Sequence, residues 1–329
     1  MPLVSVIIPT YQHAHFLNAT IESVLNQTFT NFELIVVDDG STDSTKDVCT
    51  AYGDKVIYIY QENSGQASAR NTGIKKSKGE FISFLDSDDE WLPVKLEIEM
   101  DYLNKHPQVG LVYSNYNYFG SRKSTKRKGF DGYSFVSGHG LQAQKRIFLD
   151  GLIFLPSIVT VRKLCFDIIG IFDESLVPAE DLDMWLRIAG HFDLAHIDIP
   201  LANYRLHDKN VHLNRVRMQS SYVAAQNKFI DASIDLFDKQ DKQLINRRYH
   251  RTYWGLGMAY LIDNGNPMQA RAIFTEYKKS QKYHLLDYIW WLLSFSPLPF
   301  IRPLYKMQLF VYRSIVNVKH LFISPPAAG

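Results

Sequence analysis

The stretch FISFLDSDDEW, residues 81–91, decides how the rest of the chain is read. An apolar run fit for a buried strand ends in Asp86, Asp88, Asp89 and Glu90, four acids within five positions. Carboxylates that close repel one another, and taking each out of water is costly unless something positive sits among them. Such a cluster is either fully solvated or holds a cation. Alone, a D-x-D is a weak signal, because aspartate is common in turns and helix caps.

Working outward, three similar apolar runs precede it. LVSVIIP at 3–9, FELIVVD at 32–38 and KVIYIY at 55–60 join EFISFLD at 80–86, each short enough for a strand. Helical patterns lie between them, through Phe16, Ile21, Val24 and Leu25, then Val48 and Tyr52, then 67–78. Alternation of strand and helix predicts an α/β fold with a mostly parallel sheet covered on both faces, its ligand groups in loops after the strands' carboxyl ends.

Further along, an acidic and apolar helix runs from 92 to about 106, followed by the strand VGLVYSNYNYF at 109–119 and a basic loop, SRKSTKRKG, at 121–129. A strand at 157–162 and a helix beginning near Glu180 follow. Beyond 214 the pattern is helical. We therefore divide the chain into 1–213, with halves at about 1–106 and 107–213, and a helical C-terminal extension at 214–329.

Composition narrows the function classes. The 329 residues are 46% hydrophobic, enough for a large core without staples. Lys and Arg total 36 against 34 acids, and a net charge of +2 gives no whole-molecule reason to bind nucleic acid. Cys49 and Cys165 lie far apart in apolar contexts, without metal or redox spacing, and read as reduced core residues of a cytoplasmic protein. MPLVSVIIPT lacks the basic start and cleavage site of a secretory signal and reads as a first strand. The aromatic-rich uncharged run YIWWLLSFSPLPFI at 288–301 carries two prolines and is shorter than the about 18 residues a spanning helix needs.

The strand ends deliver polar groups in turn. PTYQH places Thr10 and Tyr11 in a loop, where an aromatic ring can stack on a nucleobase or simply pack over the next helix. In VVDDGSTDST, Asp39, Gly40 and Ser41 make a turn, and Thr42 or Asp43 can cap a helix. In ENSGQASARNTG, small residues let the backbone approach a ligand, and Arg70 projects a fork suited to phosphate or carboxylate.

The combination is far more specific than its parts. IIPTYQ, VVDDGSTD, SGQASARNTG, FLDSDD and PAEDLDMWLR, in that order and spacing over residues 3–210, resemble the family 2 glycosyltransferases of the GT-A fold. The resemblance implies a Rossmann-like sheet and inverting transfer of a sugar from a nucleotide diphosphate donor, best taken as a UDP-sugar, to a hydroxyl, assisted by Mg2+ or Mn2+. It makes Asp88 the first choice of metal ligand, with Asp86 contacting the ribose or supporting the metal through water. Tyr11 would stack on the base and Asp39 accept its ring N–H, with Pro9, Thr10, Gly65 and Ser87 lining the donor pocket and Arg70 near the pyrophosphate or bracing the acids. A hard divalent ion bound by one or two carboxylates plus substrate phosphate fits that assignment.

An attacking hydroxyl must also lose its proton, on the face opposite the departing diphosphate. PAEDLDMWLR offers Glu180 and Asp181 at a helix start, where the helix end favours a carboxylate and points it out of the core. By resemblance Asp181 is the base, and Glu180 helps position the acceptor. In NYRLHDKN, His207 would reach back to the metal or diphosphate, and Arg205 could meet phosphate.

The expected partners are a nucleotide-sugar donor and a glycan or lipid-linked acceptor in polysaccharide, capsule or glycolipid biosynthesis; the oligomeric state is not legible. Trp290, Trp291, Phe295 and Phe300, with Lys and Arg at 302–306, fit either an interfacial anchor at the inner face of the plasma membrane or a buried helix pair. Arg122, Lys123, Lys126, Arg127 and Lys128 read as a solvated loop that the anchor reading could also use. The rival class is a nucleotide-sugar-binding module without catalysis. A dinucleotide dehydrogenase or a P-loop enzyme is disfavoured, since neither G-x-G-x-x-G nor G-K-[ST] stands where it should.

Overall fold

The structure is a computed structural model that describes residues 1–120, 129, 135–150, 155–208, 214–280, 291–295 and 303. The basic positions Arg122, Lys123, Lys126, Arg127 and Lys128, together with Trp290, Phe300 and the cations at 302–306, lie outside the described residues.

The apolar runs become strands β1 (Val4–Thr10), β2 (Phe32–Asp38), β3 (Ile57–Tyr60) and β4 (Phe81–Phe84). β1 and β4 are buried along their whole length, which is why they read as continuous rather than alternating hydrophobic runs. With β5 (Glu90–Trp91), β6 (Val109–Gly120), β7 (Val159–Arg162) and β8 (Asp193–Leu206) they form one sheet of order β3-β2-β1-β4-β7-β6-β8-β5. β1 to β4 run parallel, β7 is antiparallel to both β4 and β6, and β8 is parallel to β6. The chain leaves β1 for β2 on one side and reaches β4 on the other. This reversal makes the carboxyl ends of β1, β2 and β4 the place where an α/β sheet binds ligands.

Helices α1 (Ala14–Leu25), α2 (Thr45–Thr50), α3 (Gln66–Lys76) and α4 (Lys95–Lys105) connect the first strands. The buried stripe of α1 is Leu17, Thr20, Ile21 and Val24, with Phe16 turned instead toward His207, 5.0 Å away between ring centroids. α3 lies close against β1 because Gly73 has no side chain; a Cβ there would meet Ile7 Cγ2 at 2.4 Å. α5 (Leu141–Asp150), α6 (Lys163–Ile169) and α7 (Glu180–His191) follow, α7 burying Leu182, Trp185, Leu186 and Ile188.

β8 is the element the sequence hid. Pro200 interrupts its 14 residues and argues against a central strand, yet the proline falls where the register against β6 slips, between Ser114↔Ile197 and Asn115↔Pro200. A bulge absorbs the missing N–H.

Helices α8 (Arg215–Ser233), α9 (Lys239–Ile262) and α10 (Pro267–Ser280) complete the described chain. Contacts group it into two units, Met1–Leu213 with Ser221–Arg248, and Asn214–Ser220 with Tyr249–Gly329. In the second, Met258, Leu261, Ala270 and Phe274 form a core against which Trp254 and Trp291 pack, while Phe295 is exposed beneath Arg271, 4.6 Å from its ring centre. Both cysteines are buried and unpaired, and burial pushes each thiol up to about 12, so neither is a ready nucleophile. No described helix is long and apolar enough to cross a membrane.

Candidate active site

The ends of β1 and β2 are tied together by Asp39 N–H, which donates to Thr10 O at 2.9 Å. Pro9 and Thr10 are buried, and Thr10 Oγ1 has no hydrogen-bond partner, whereas the Tyr11 ring is 48% exposed. The next residue, Gln12, has φ +57°, a left-handed conformation that costs a side-chain-bearing residue roughly 1–2 kcal/mol. Its N–H to Ser41 Oγ (2.9 Å) and its Nε2 to Thr42 Oγ1 (2.8 Å) hold it there. Tyr11 is thereby left standing at the mouth of the crevice.

Asp39 is buried and busy. Its Oδ1 accepts from Gln61 Nε2 (2.7 Å) and Ser64 N–H (2.9 Å), and its Oδ2 accepts from Gly65 N–H (2.8 Å). A carboxylate offers about four lone-pair sites, so one remains, on Oδ2. Gly65, with φ +92°, takes up a backbone conformation that glycine alone adopts cheaply, and it starts α3.

α3 carries Arg70 into the interior, 1% exposed, and its guanidinium forks. Nη2 meets Asp86 Oδ1 and Nη1 meets Glu180 Oε1, both at 2.7 Å. Gln66 Nε2 also donates to Asp86 Oδ1, at 3.0 Å. Ser87 is buried and shares a 2.9 Å hydrogen bond with His13 Nδ1. Asp88 Oδ2 lies 2.8 Å from His207 Nε2. Asp89 is wholly buried, Oδ2 accepting from Ser157 Oγ at 2.6 Å and Oδ1 from Arg205 N–H at 2.9 Å; burial, then the charges of Asp88 and Asp86, push its pKa well up. The Arg205 guanidinium binds Glu90 and donates through Nε to Asp88 O at 2.7 Å, between the rings of Phe16 and Phe119. It braces the turn.

The four acids are therefore not held apart by solvent alone. Two guanidinium groups already offset part of their repulsion: Arg70, expected from the sequence to stand near the pyrophosphate or brace the acids, and Arg205, whose pairing with Glu90 spans 115 residues.

Across Arg70 begins α7. Glu180 is 2% exposed, and its Oε2 is buried without a partner. Asp181 Oδ1 accepts its neighbour's Leu182 N–H at 2.7 Å, and the side chain is buried, not turned out to solvent. Burial, then the charge of Glu180, raise its pKa to about 8 against the pull of Arg70. The helix end favours the charged form, but desolvation outweighs it.

Residues 5–157 match the family described as Glycosyl transferase family 2. The chain is 33% identical over 235 residues to an uncharacterized glycosyltransferase of Rickettsia typhi, spanning 70% of this chain and 72% of that one. It is 42% identical over 233 residues to a Bacillus subtilis glycosyltransferase named for teichuronic acid biosynthesis, covering 65% and 83%. It belongs to glycosyltransferase family 2.

The transferase is also 32% identical over 219 residues, 65% of its length and 81% of the other's, to the Escherichia coli UDP-Glc:alpha-D-GlcNAc-diphosphoundecaprenol beta-1,3-glucosyltransferase. Among other Rickettsia relatives the chain spans between 27% and 58% of their length. In fold it matches Staphylococcus aureus TarS 1-349 in complex with UDP-GlcNAc (TM-score 0.55, 18% identity, 86% and 93% covered). It also matches a Pyrobaculum calidifontis mannosyltransferase in complex with GDP-Man and Mn2+ (TM-score 0.58, 19% identity, 89% and 84% covered). The curled mixed sheet with flanking helices is that of GT-A glycosyltransferases.

Whether this glycosyltransferase's own residues suit a divalent ion can be asked of the acidic turn. Among the described residues no three His, Cys, Asp or Glu side chains converge as a ready-made cage. What the turn offers is two partly exposed carboxylates, Asp88 with His207 beside it and Asp86 with Oδ2 unbonded. Hard oxygen donors in that number fit Mg2+ or Mn2+, which take one or two carboxylates and complete their shell with water and phosphate. Two neighbours were not foreseen from the sequence. His13 approaches His207 to 6.2 Å between ring centroids, and Ser157 pins Asp89; the first was visible only as a histidine in PTYQHAHF, the second only as the start of a strand.

Proposed function

We propose that the chain transfers a sugar, with inversion, from a nucleotide diphosphate donor to a hydroxyl of a glycan or lipid-linked acceptor. The observation that carries this is the Arg70 fork, which ties the Asp86 end of β4 to Glu180, next to Asp181, with 2.7 Å on each side. Donor-side acids and a basic carboxylate thus face one another across a single rigid group.

In this reading Tyr11 stacks on the base, and the last lone pair of Asp39 Oδ2 accepts its ring N–H. UDP is the nucleotide we favour, because the names of the Escherichia coli relative and the TarS complex carry UDP-sugars; GDP, as in the mannosyltransferase complex, is the alternative. A divalent ion held by Asp88, with Asp86 and His207 in support, would offset the diphosphate's growing charge. Asp181 takes the proton of the acceptor hydroxyl as its oxygen bonds to the anomeric carbon. The bond from that carbon to the phosphate oxygen breaks, and its electron pair leaves with the nucleotide diphosphate, opposite the incoming oxygen.

The test is transfer by purified protein. UDP release from a UDP-sugar in the presence of Mn2+, lost on chelation, with an inverted anomeric centre in the product, supports the reading. Donor binding by calorimetry without turnover on any acceptor would instead make the chain a nucleotide-sugar-binding module.

A further inference from the structure

Helix α8 is fixed along the approach to Asp181 at two places. Ser221 Oγ donates to Val177 O at 2.9 Å, three residues before Glu180. Lys228 Nζ bridges Asp173 Oδ2 (2.6 Å) and Asp183 Oδ1 (3.0 Å), two residues after Asp181. Between these anchors α8 turns Val223, Ala225, Gln226 and Phe229 inward, and Phe229 packs on Phe148 at 5.2 Å between centroids. The path of α8 beside the start of α7 is thus set by hydrogen bonds, ion pairs and apolar packing together.

That path carries Tyr222, half-buried beside Ser221, on the face of α8 that also holds the buried Gln226 and Phe229. After burial, the charges of Asp181 and Glu180 are what most oppose ionisation of its phenol, and the charge of Arg248 on α9 acts in the opposite sense. Gln226 lies one helical turn on, on the same side of α8. Among the described residues, two acceptor atoms in these elements are buried without a donor, Glu180 Oε2 and Gln226 Oε1, and the Leu182 N–H donates to Asp181 through Oδ1. Buried acceptors are ordinarily satisfied, so this pattern asks for hydroxyl donors from outside the chain.

We propose that α8 carries a subsite for the acceptor carbohydrate, with the Tyr222 hydroxyl hydrogen-bonding one hydroxyl of the sugar while a neighbouring hydroxyl faces Asp181. Gln226 serves the same sugar one turn further along. The proposal rests on the transferase reading above, and gives residues beyond 214 a part in choosing the acceptor.

The test uses the full chain with UDP-glucose and Mn2+ and four acceptors: octyl glucoside, octyl galactoside, octyl N-acetylglucosaminide and a short-chain GlcNAc-α-diphosphate lipid. For the best of these, Tyr222→Phe raises the acceptor KM about tenfold, the worth of one hydrogen bond. Gln226→Leu raises the acceptor KM in the same way, while donor KM stays within about twofold in both variants. An unchanged acceptor KM in Tyr222→Phe overturns the subsite. So does a parallel loss of donor binding and hydrolysis, which assigns Tyr222 to packing. Donor hydrolysis without transfer to any of the four sinks the carbohydrate subsite alone, whereas failure of the wild type to bind any nucleotide sugar sinks the transferase reading itself.

Discussion

Arg70 Nη1 lies 2.7 Å from Glu180 Oε1, and this bond joins two segments 110 residues apart. Its other arm holds Asp86, so the acidic turn and the start of α7 are braced by one buried cation. Each contact leaves the others dependent on it.

Replacing Arg70 with methionine strands two carboxylates in the interior. We expect Arg70→Met to lower unfolding free energy by roughly 3–5 kcal/mol, as when one partner of a buried pair is removed. Arg70→Lys keeps the charge but cannot span both acids with a planar fork, so transfer falls more than tenfold while less stability is lost. Urea unfolding beside initial rates separates the two; equal effects of both variants on stability and rate would contradict the bracing role.

With Asp181 as the proposed base, activity and stability are expected to depend on pH in opposite directions. A base raised to about 8 by burial and the charge of Glu180 is mostly protonated below that value, so kcat/KM climbs about tenfold per pH unit and levels off near pH 8. Its proton is held more tightly folded than unfolded, where the ordinary carboxylate value applies. The group therefore stabilises most at low pH and loses that contribution as pH rises from about 4 toward 8. Asp181→Asn should keep donor binding, lose transfer by roughly 100-fold or more, and flatten the stability profile across that window. Rate and melting profiles from pH 5 to 9 check both.

Tyr11, exposed at the crevice mouth, should matter to the donor alone. Tyr11→Ala is expected to weaken nucleotide-sugar affinity by about 1–3 kcal/mol, the value of a lost base stack, with little change in melting temperature. Chelating the metal should abolish the thermal shift that a UDP-sugar produces in the wild type. Calorimetry with and without EDTA reads both effects.

Away from the site, Lys95 and Glu99 form a wholly buried ion pair at 2.6 Å, with Thr160 Oγ1 donating to Glu99 Oε2 at 2.7 Å and the Lys95 ammonium 4.4 Å from the Trp91 ring centre. Removing either partner leaves the other charge uncompensated. Lys95→Met or Glu99→Leu alone should cost roughly 3–5 kcal/mol, and the double variant should recover most of it. A double-mutant cycle in urea supplies the coupling energy; additive losses would show that the two groups act independently.

The donor half of the sheet was legible because both faces of β1 and β4 are covered, leaving mostly apolar residues, with one buried serine each, before their polar ends. The same punctuation located Asp39, Arg70 and Asp86 to Asp88. What the sequence could not show was pairing over distance. The pairing of Arg205 with Glu90 and the Phe16 and Phe119 rings was hidden by their separation in sequence, and β8 is masked by a proline that a bulge tolerates. Asp181 at a helix start looked solvent-facing, because nothing local foretells that Arg70 and Glu180 enclose it.

Asp89, pinned through one oxygen by Ser157 and through the other by the backbone of Arg205, fixes the acidic turn from below. Under the proposed function, a turn locked in this way is already in its working shape when a donor enters. Binding then spends little on rearranging protein, and what selects among nucleotide sugars is the fit of the incoming molecule to a preset rim, so donor choice should be altered more readily by reshaping the pocket walls than by loosening the turn itself.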